Sequence, residues 1–244
     1  MELIPLIRGK VIIHLNNMGI GSIEKAFFLV ASVELGARLF GFDEVRFFTK
    51  PLLLLILSVF FYLSVRDHYT SFHKLIQAAL FFSWLGDVFL MWDDKGELYF
   101  MLGLGAFLLA HIAYILGFRS SIAHTNTSSI IWKRPMVIMP YILLAGFVYY
   151  QLYPSLSSLA GPVFVYSFAL LLMVIFALNR RERVPDASFK WVFYGALLFM
   201  LSDMLLALNK FSTPFQHANL AIMATYILGQ YMIVKGCIIN SSFE

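Results

Sequence analysis

The chain is poor in charge and nearly devoid of cysteine. Asp, Glu, Lys and Arg make up 13% of its 244 residues, against roughly a quarter in a soluble domain. Hydrophobic residues make up 60% and the mean hydropathy is +0.79. A soluble core of this size cannot hide so much apolar surface, so the solvent must be a bilayer. The lone Cys237 excludes an internal disulfide and any cysteine-based metal site. A Gly-rich phosphate loop, HExxH and GxSxG are all missing, which weakens the sequence support for nucleotide-dependent, metallo and serine mechanisms. The period-2 alternation of an outer-membrane barrel is missing too, and the continuous Leu/Phe-rich runs read as helices.

Apolar stretches of spanning length, about 20 residues each, fall near 24–42, 49–65, 74–92, 98–118, 136–153, 160–179, 189–208 and 216–238. The expected fold is therefore an all-α integral membrane protein of eight transmembrane helices. Residues 24–240 form a single membrane domain, with no length left for a separate soluble one. Residues 1–23 contain short apolar clusters broken by Arg8, Lys10 and His14, and read as an interfacial or cytoplasmic lead-in.

Counting the loops together with the end residues of the stretches, one side of the membrane collects twelve Lys and Arg and the other only four. The positive-inside rule then places both termini in the cytoplasm. This accounts for the +4 net charge as an orientation signal. A basic face interleaved with aromatics on a soluble surface is not visible, so no nucleic-acid partner is expected.

Two acids lie inside the apolar runs: Asp87 in FSWLGDVFLMW and Asp203 in FMLSDMLLALNKF. An ionised carboxylate in hydrocarbon costs at least ~2.5 kcal/mol, which makes each a candidate functional residue. Their surroundings match. WLGDVFL on the third stretch aligns with MLSDMLL on the seventh, AYILGF on the fourth with TYILGQ on the eighth, and Lys50-Pro51 with Gly161-Pro162. Two parallel four-helix repeats, about 24–118 and 136–240, follow from that alignment. An even number of helices per repeat puts their symmetry axis along the membrane normal. At 1.5 Å per residue each carboxylate then lies roughly 9 Å inside the outer boundary, and the two face one another if their helices line the axis. A close pair of carboxyls holds one proton between them, giving an acid and a base from identical side chains.

Other polar residues carry two readings each. His111, with Phe107 and Tyr114 on its helix face, is a proton partner or substrate contact, or else a hydrogen-bonded core histidine. Counted from the helix end it lies about 11 Å deeper than the aspartates, so direct contact with them is not expected. Glu34 and Arg38, spaced i, i+4, read as an ion pair. Lys50 near the outer face is expected to snorkel to the interface, or to meet a phosphate. The Asp93, Asp94, Lys95, Glu97 cluster reads as a solvated turn.

Taken together, these residues resemble the pattern of the YhhN-type lysoplasmalogenase family of multispanning membrane proteins. The pattern is matched by Lys50-Pro51, Gly86-Asp87, the run Phe107, His111 and Tyr114, then Ser202-Asp203, Leu206-Ala207, Asn209-Lys210-Phe211, and Tyr226 with Gln230. The match covers about residues 49–240. The resemblance implies hydrolysis of the vinyl ether bond of a lysophospholipid, lysoplasmalogen, to a fatty aldehyde and a glycerophospho-ethanolamine or -choline, with no cofactor or metal. It also implies that Asp87 and Asp203 are catalytic and that Lys50, His111, Tyr114, Asn209, Tyr226 and Gln230 shape the pocket. The location it implies is the bacterial cytoplasmic membrane. Enol ether hydrolysis suits paired carboxyls, one delivering a proton to carbon and the other activating water. The competing reading is a proton-coupled transporter that uses the same aspartate pair.

Overall fold

The computed structural model describes residues 3–123 and 125–241, with side chains from residue 19 onward. The lead-in expected over 1–23 falls largely outside the described side chains. Among the described residues there are eight long helices and no strand. They are α1 (Leu3–Phe40), α2 (Asp43–Val65), α3 (Ser71–Leu90), α4 (Glu97–Ser120), α5 (Met139–Leu156), α6 (Ala160–Leu178), α7 (Asp186–Phe211) and α8 (Ala218–Ser241). The α2 helix starts earlier than its apolar run, because Asp43 and Glu44 complement the positive end of the helix dipole. In the longest linker, Ser129 caps a single turn, Ile130–Lys133, by accepting from the Ile131 backbone N–H at 3.1 Å.

Among the described residues five stretches are long and apolar enough to cross a membrane: Asp43–His68, Glu97–Ser120, Pro135–Leu178, Asp186–Phe211 and Ala218–Ser241, the third of which contains both α5 and α6. The protein is thus an all-helical integral membrane protein. The α3 helix is not among these stretches; its 20 residues include His73, Lys74, Gln77 and Asp87.

Neighbouring helices form a closed ring. Contacts run from α1 to α2, α3, α4, α6, α7 and α8, and α8 returns to α1 and α2. The α5 helix lies outside the ring against α6 and α7, and Leu143, Phe147 and Tyr150 on it are exposed. Lipid tails are as apolar as leucine, so association in a bilayer relies on close packing and hydrogen bonds rather than on water exclusion. The two tightest pairs, α3 with α4 and α7 with α8, show how. At Gly195 an added Cβ would stand 2.8 Å from the Gly229 carbonyl oxygen, and at Gly86 one would stand 2.5 Å from the Phe107 ring. Backbone meets backbone in one pair and ring meets backbone in the other.

One end of the bundle is tied by a fully buried arginine. Arg180 donates to Ser121 Oγ at 3.0 Å, Ser188 Oγ at 2.9 Å and Asn240 Oδ1 at 3.1 Å, and lies over the Phe118 ring. Hydrogen bonds of this kind satisfy a charge that apolar surroundings alone would expel. The functional candidates lie at the opposite end.

Candidate active site

The ends of α3 and α7 meet the starts of α2, α4 and α8 around a chamber of about 480 Å³. Asp87, Asp203, Lys50 and Tyr226 all line it, together with Arg38, Arg46 and Asp94. The structure therefore brings the two intramembrane acids into the lining of one cavity. Their immediate partners differ.

Asp87 sits in the last turn of α3, where the negative end of the helix dipole opposes a carboxylate. Lys50 of α2 compensates, with Nζ 3.5 Å from Oδ1. Tyr226 of α8 donates its hydroxyl to Oδ2 at 2.7 Å. Behind Tyr226, Gln230 Nε2 reaches the phenol oxygen at 3.5 Å, and the Tyr114 hydroxyl donates to Gln230 Oε1 at 2.5 Å. Tyr114 and Gln230 thus reach the chamber through Tyr226 rather than by lining it. The snorkelling expected of Lys50 is corrected here: its side chain is only 14% exposed and turns toward Asp87. Pairing with Lys50 keeps the buried carboxylate from standing uncompensated.

Asp203 has neutral company. The Tyr166 hydroxyl of α6 donates to Oδ2 at 2.6 Å. His111 Nε2 lies 3.7 Å from the same oxygen, within range for a charge pair but beyond a hydrogen bond. Neither ring nitrogen of His111 has a hydrogen-bond partner among the described residues. The imidazole is enclosed by Tyr166 and Phe199, each 5.1 Å away between ring centroids.

The depth expected for His111 is also corrected. That count took all helix ends as level, yet Phe100 of α4 packs edge-on to Phe211 of α7, the last residue of its helix. From this shared layer, His111 is roughly 16 Å down α4 and Asp203 roughly 12 Å down α7, and side chains span the remaining gap.

Phe107, Phe199 and Tyr226 form a triangle of edge-to-face rings, with centroids 6.2, 6.0 and 5.5 Å apart, below the chamber. Phe107 lies against Gly86, next to Asp87, so the glycine shapes the wall beside the carboxylate. Asn209 lines neither this chamber nor the apolar cleft beside it. Glu34 and Arg38 pair as expected at 2.7 Å, and the Asp93–Lys95 segment is a short turn in which Asp93 takes Lys210 at 2.7 Å. Tyr166, Arg38 and Arg46 went unread as site residues. The only trace of Tyr166 in the sequence is a hydroxyl-bearing ring inside the apolar run PVFVYSF. No group of three or more His, Cys, Asp or Glu side chains is placed to hold a metal among the described residues.

A membrane helical bundle with two carboxyls lining one chamber is the class that fold and site define. The chain belongs to the YhhN family, whose model matches residues 45–237. Human lysoplasmalogenase TMEM86A is 30% identical over 174 residues, which are 67% of this chain and 65% of that protein. Pig lysoplasmalogenase TMEM86B is 33% identical over 180 residues, 73% of this chain and 70% of that protein. The membrane protein YhhN of Escherichia coli O157:H7 is 26% identical over 190 residues, 78% of this chain and 86% of that protein. The chain spans just under two thirds of the length of the human and bovine TMEM86A proteins that it matches. No solved structure matches the chain.

Proposed function

We propose that the protein hydrolyses the vinyl ether bond of a lysoplasmalogen, with Asp203 as general acid and Asp87 as general base. The observation that carries this reading is the unequal company of two carboxyls in one chamber. Lys50 beside Asp87 favours its ionised form, whereas Asp203 is largely buried with no Lys or Arg paired to it among the described residues, so its ionised form carries the greater cost despite the hydrogen bond that Tyr166 donates. Two family relatives named as lysoplasmalogenases support the substrate class.

In the first step Asp203 gives its proton to the vinyl carbon that does not bear oxygen, and the double-bond electrons form the new C–H bond. The positive charge left on the O–C unit is an oxocarbenium ion, which an ionised Asp87 stabilises. Water adds to the charged carbon while Asp87 takes one of its protons, giving a hemiacetal. Asp203 then accepts the hemiacetal hydroxyl proton and Asp87 returns its proton to the glycerol oxygen as the C–O bond breaks. The products are a fatty aldehyde and glycerophospho-ethanolamine or -choline, and both carboxyls end as they began. Tyr166, Tyr226 and, behind it, Gln230 and Tyr114 hold the two carboxyls in place. His111 packs beside Asp203, with Nε2 3.7 Å from Oδ2. Asn209 has no part in this scheme.

Eight membrane crossings in two parallel repeats, with both termini in the cytoplasm of a bacterial membrane, complete the proposal. The paired packing of α3 with α4 and of α7 with α8, and the loop charges, support it. Purified protein incubated with a lysoplasmalogen releases aldehyde on this reading, and Asp87→Asn and Asp203→Asn each release it at least about a hundredfold more slowly. Near-normal aldehyde release by either variant would remove the mechanism. Lipid or proton uptake into proteoliposomes without aldehyde would move the site to a carrier.

A further inference from the structure

The α2 and α3 helices part around a groove of about 370 Å³ that shares no lining residue with the chamber or with the apolar cleft beside it. Leu55 and Phe81 on its rims are exposed, so it opens toward the surrounding lipid. Its mouth lies at the start of α3, at the other end of that helix from Asp87. There Lys74 is exposed, and Tyr69 is held by ring contacts to His73 and Tyr62, 5.9 and 5.6 Å away. The one acid in the preceding turn, Asp67, is taken by Arg66 at 3.8 Å, and Lys74 pairs with no carboxylate among the described residues. One turn further in, Gln77 Nε2 donates to Ser58 Oγ and ties α3 to α2, while the amide oxygen of Gln77 has no partner among the described residues. Beyond that step the walls are apolar and end at Trp84, whose ring stacks on Phe81 at 6.2 Å. Lys74 and Trp84 are ten residues apart, roughly 15 Å of helix.

We infer that this groove is a binding site for an anionic two-chain phospholipid, separate from the chamber and its chemistry. The groups follow one another as they do in such a lipid: a cation at the mouth, a polar step, then an apolar trough. The phosphate lies against Lys74 and the Tyr69 hydroxyl, the glycerol esters lie level with Gln77 and Ser58, and one hydrocarbon chain follows the trough to Trp84. The second chain stays in the bilayer past Leu55 and Phe81, which an open groove permits. Turned over, the Gln77 amide accepts from Ser58 and offers an N–H to an ester carbonyl, so the lipid meets a group that bare hydrocarbon leaves unsatisfied. A zwitterionic head would bring its own ammonium against Lys74, whereas phosphatidylglycerol brings only negative charge and hydroxyls. On the proposed orientation the mouth opens to the cytoplasmic leaflet, where basic pockets between membrane helices hold anionic head groups. The seating does not depend on the hydrolytic reading.

The test is native mass spectrometry of the full chain in detergent, titrated with dioleoyl phosphatidylglycerol and, separately, with dioleoyl phosphatidylcholine. The parent binds the anionic lipid about fivefold more tightly, the worth of one lysine near an anionic head group. Lys74→Gln, at an exposed position, removes that preference and leaves phosphatidylcholine nearly unchanged. Lys190→Gln, which removes an exposed lysine from the start of α7, keeps the preference. Ala78→Phe, which fills the trough, weakens both lipids about tenfold, equivalent to some two methylenes. Should Ala78→Phe fail to fold, the contrast between Lys74→Gln and Lys190→Gln decides alone. Equal binding of the two lipids by the parent overturns the inference. So does a preference that survives Lys74→Gln or is lost as fully in Lys190→Gln, and so does a folded Ala78→Phe that binds both lipids like the parent. Lipid binding in the expected pattern by a protein that releases no aldehyde keeps this site and removes the hydrolase.

Discussion

Asp87 and Asp203 are the same side chain in matching sequence settings, but they are built into different electrostatics. Asp87 ends a helix, opposes its dipole and takes a lysine as counter-charge. Asp203 sits two turns inside α7 with a phenol and an unpaired imidazole for company. The difference teaches that near-repetition in a membrane protein can separate roles instead of duplicating them. On the proposed repeat, Gly161-Pro162 stands where the first half has Lys50-Pro51, and the second aspartate has no lysine counterpart.

Substitutions can break that contrast. Asp203→Asn removes the only group that can deliver a proton to carbon in this scheme, and lowers kcat by about 10³-fold in an aldehyde-release assay. Asp87→Asn removes the base and lowers kcat by about 10²-fold. Equal losses in the two, with equal dependence on pH, would erase the division of labour. Lys50→Met lowers kcat by about tenfold by leaving Asp87 without its counter-charge, and adds little further loss to Asp87→Asn, since the coupling ends once the acid is gone. Tyr166→Phe, which removes one neutral hydrogen bond, lowers kcat by about threefold to tenfold. Gly86→Ala acts on the wall between the sites: the added methyl meets Phe107 and costs about 1–3 kcal/mol, read as a lowered unfolding temperature in detergent.

The helices were legible because continuous apolar runs have few other ways to fold in a bilayer. The aspartate pair was legible for the converse reason, since charge in such a run is conspicuous. Register was not. Depth counted from the end of each helix misplaced His111, because the level of an end is set by packing such as Phe100 on Phe211, which no single helix encodes. Lys50 was read by its own tendency to snorkel, and its partner became visible only once α2 and α3 were side by side. Tyr166 carries a hydroxyl on an otherwise apolar face, a weak signal among twelve tyrosines. Arg38 was read as half of an ion pair, and that pair holds; that the same guanidinium also faces the chamber depends on where α1 lands.

The triangle of Phe107, Phe199 and Tyr226 has a consequence for the cell as well as for the site. Acids, water and a histidine part of the way across a membrane are the makings of a proton wire. Three rings in mutual contact put an apolar layer beside the carboxyls, and the expected consequence is a membrane that keeps its electrical insulation. Proteoliposomes holding the parent protein should then keep an imposed pH gradient, and those holding Phe199→Ala should lose it faster.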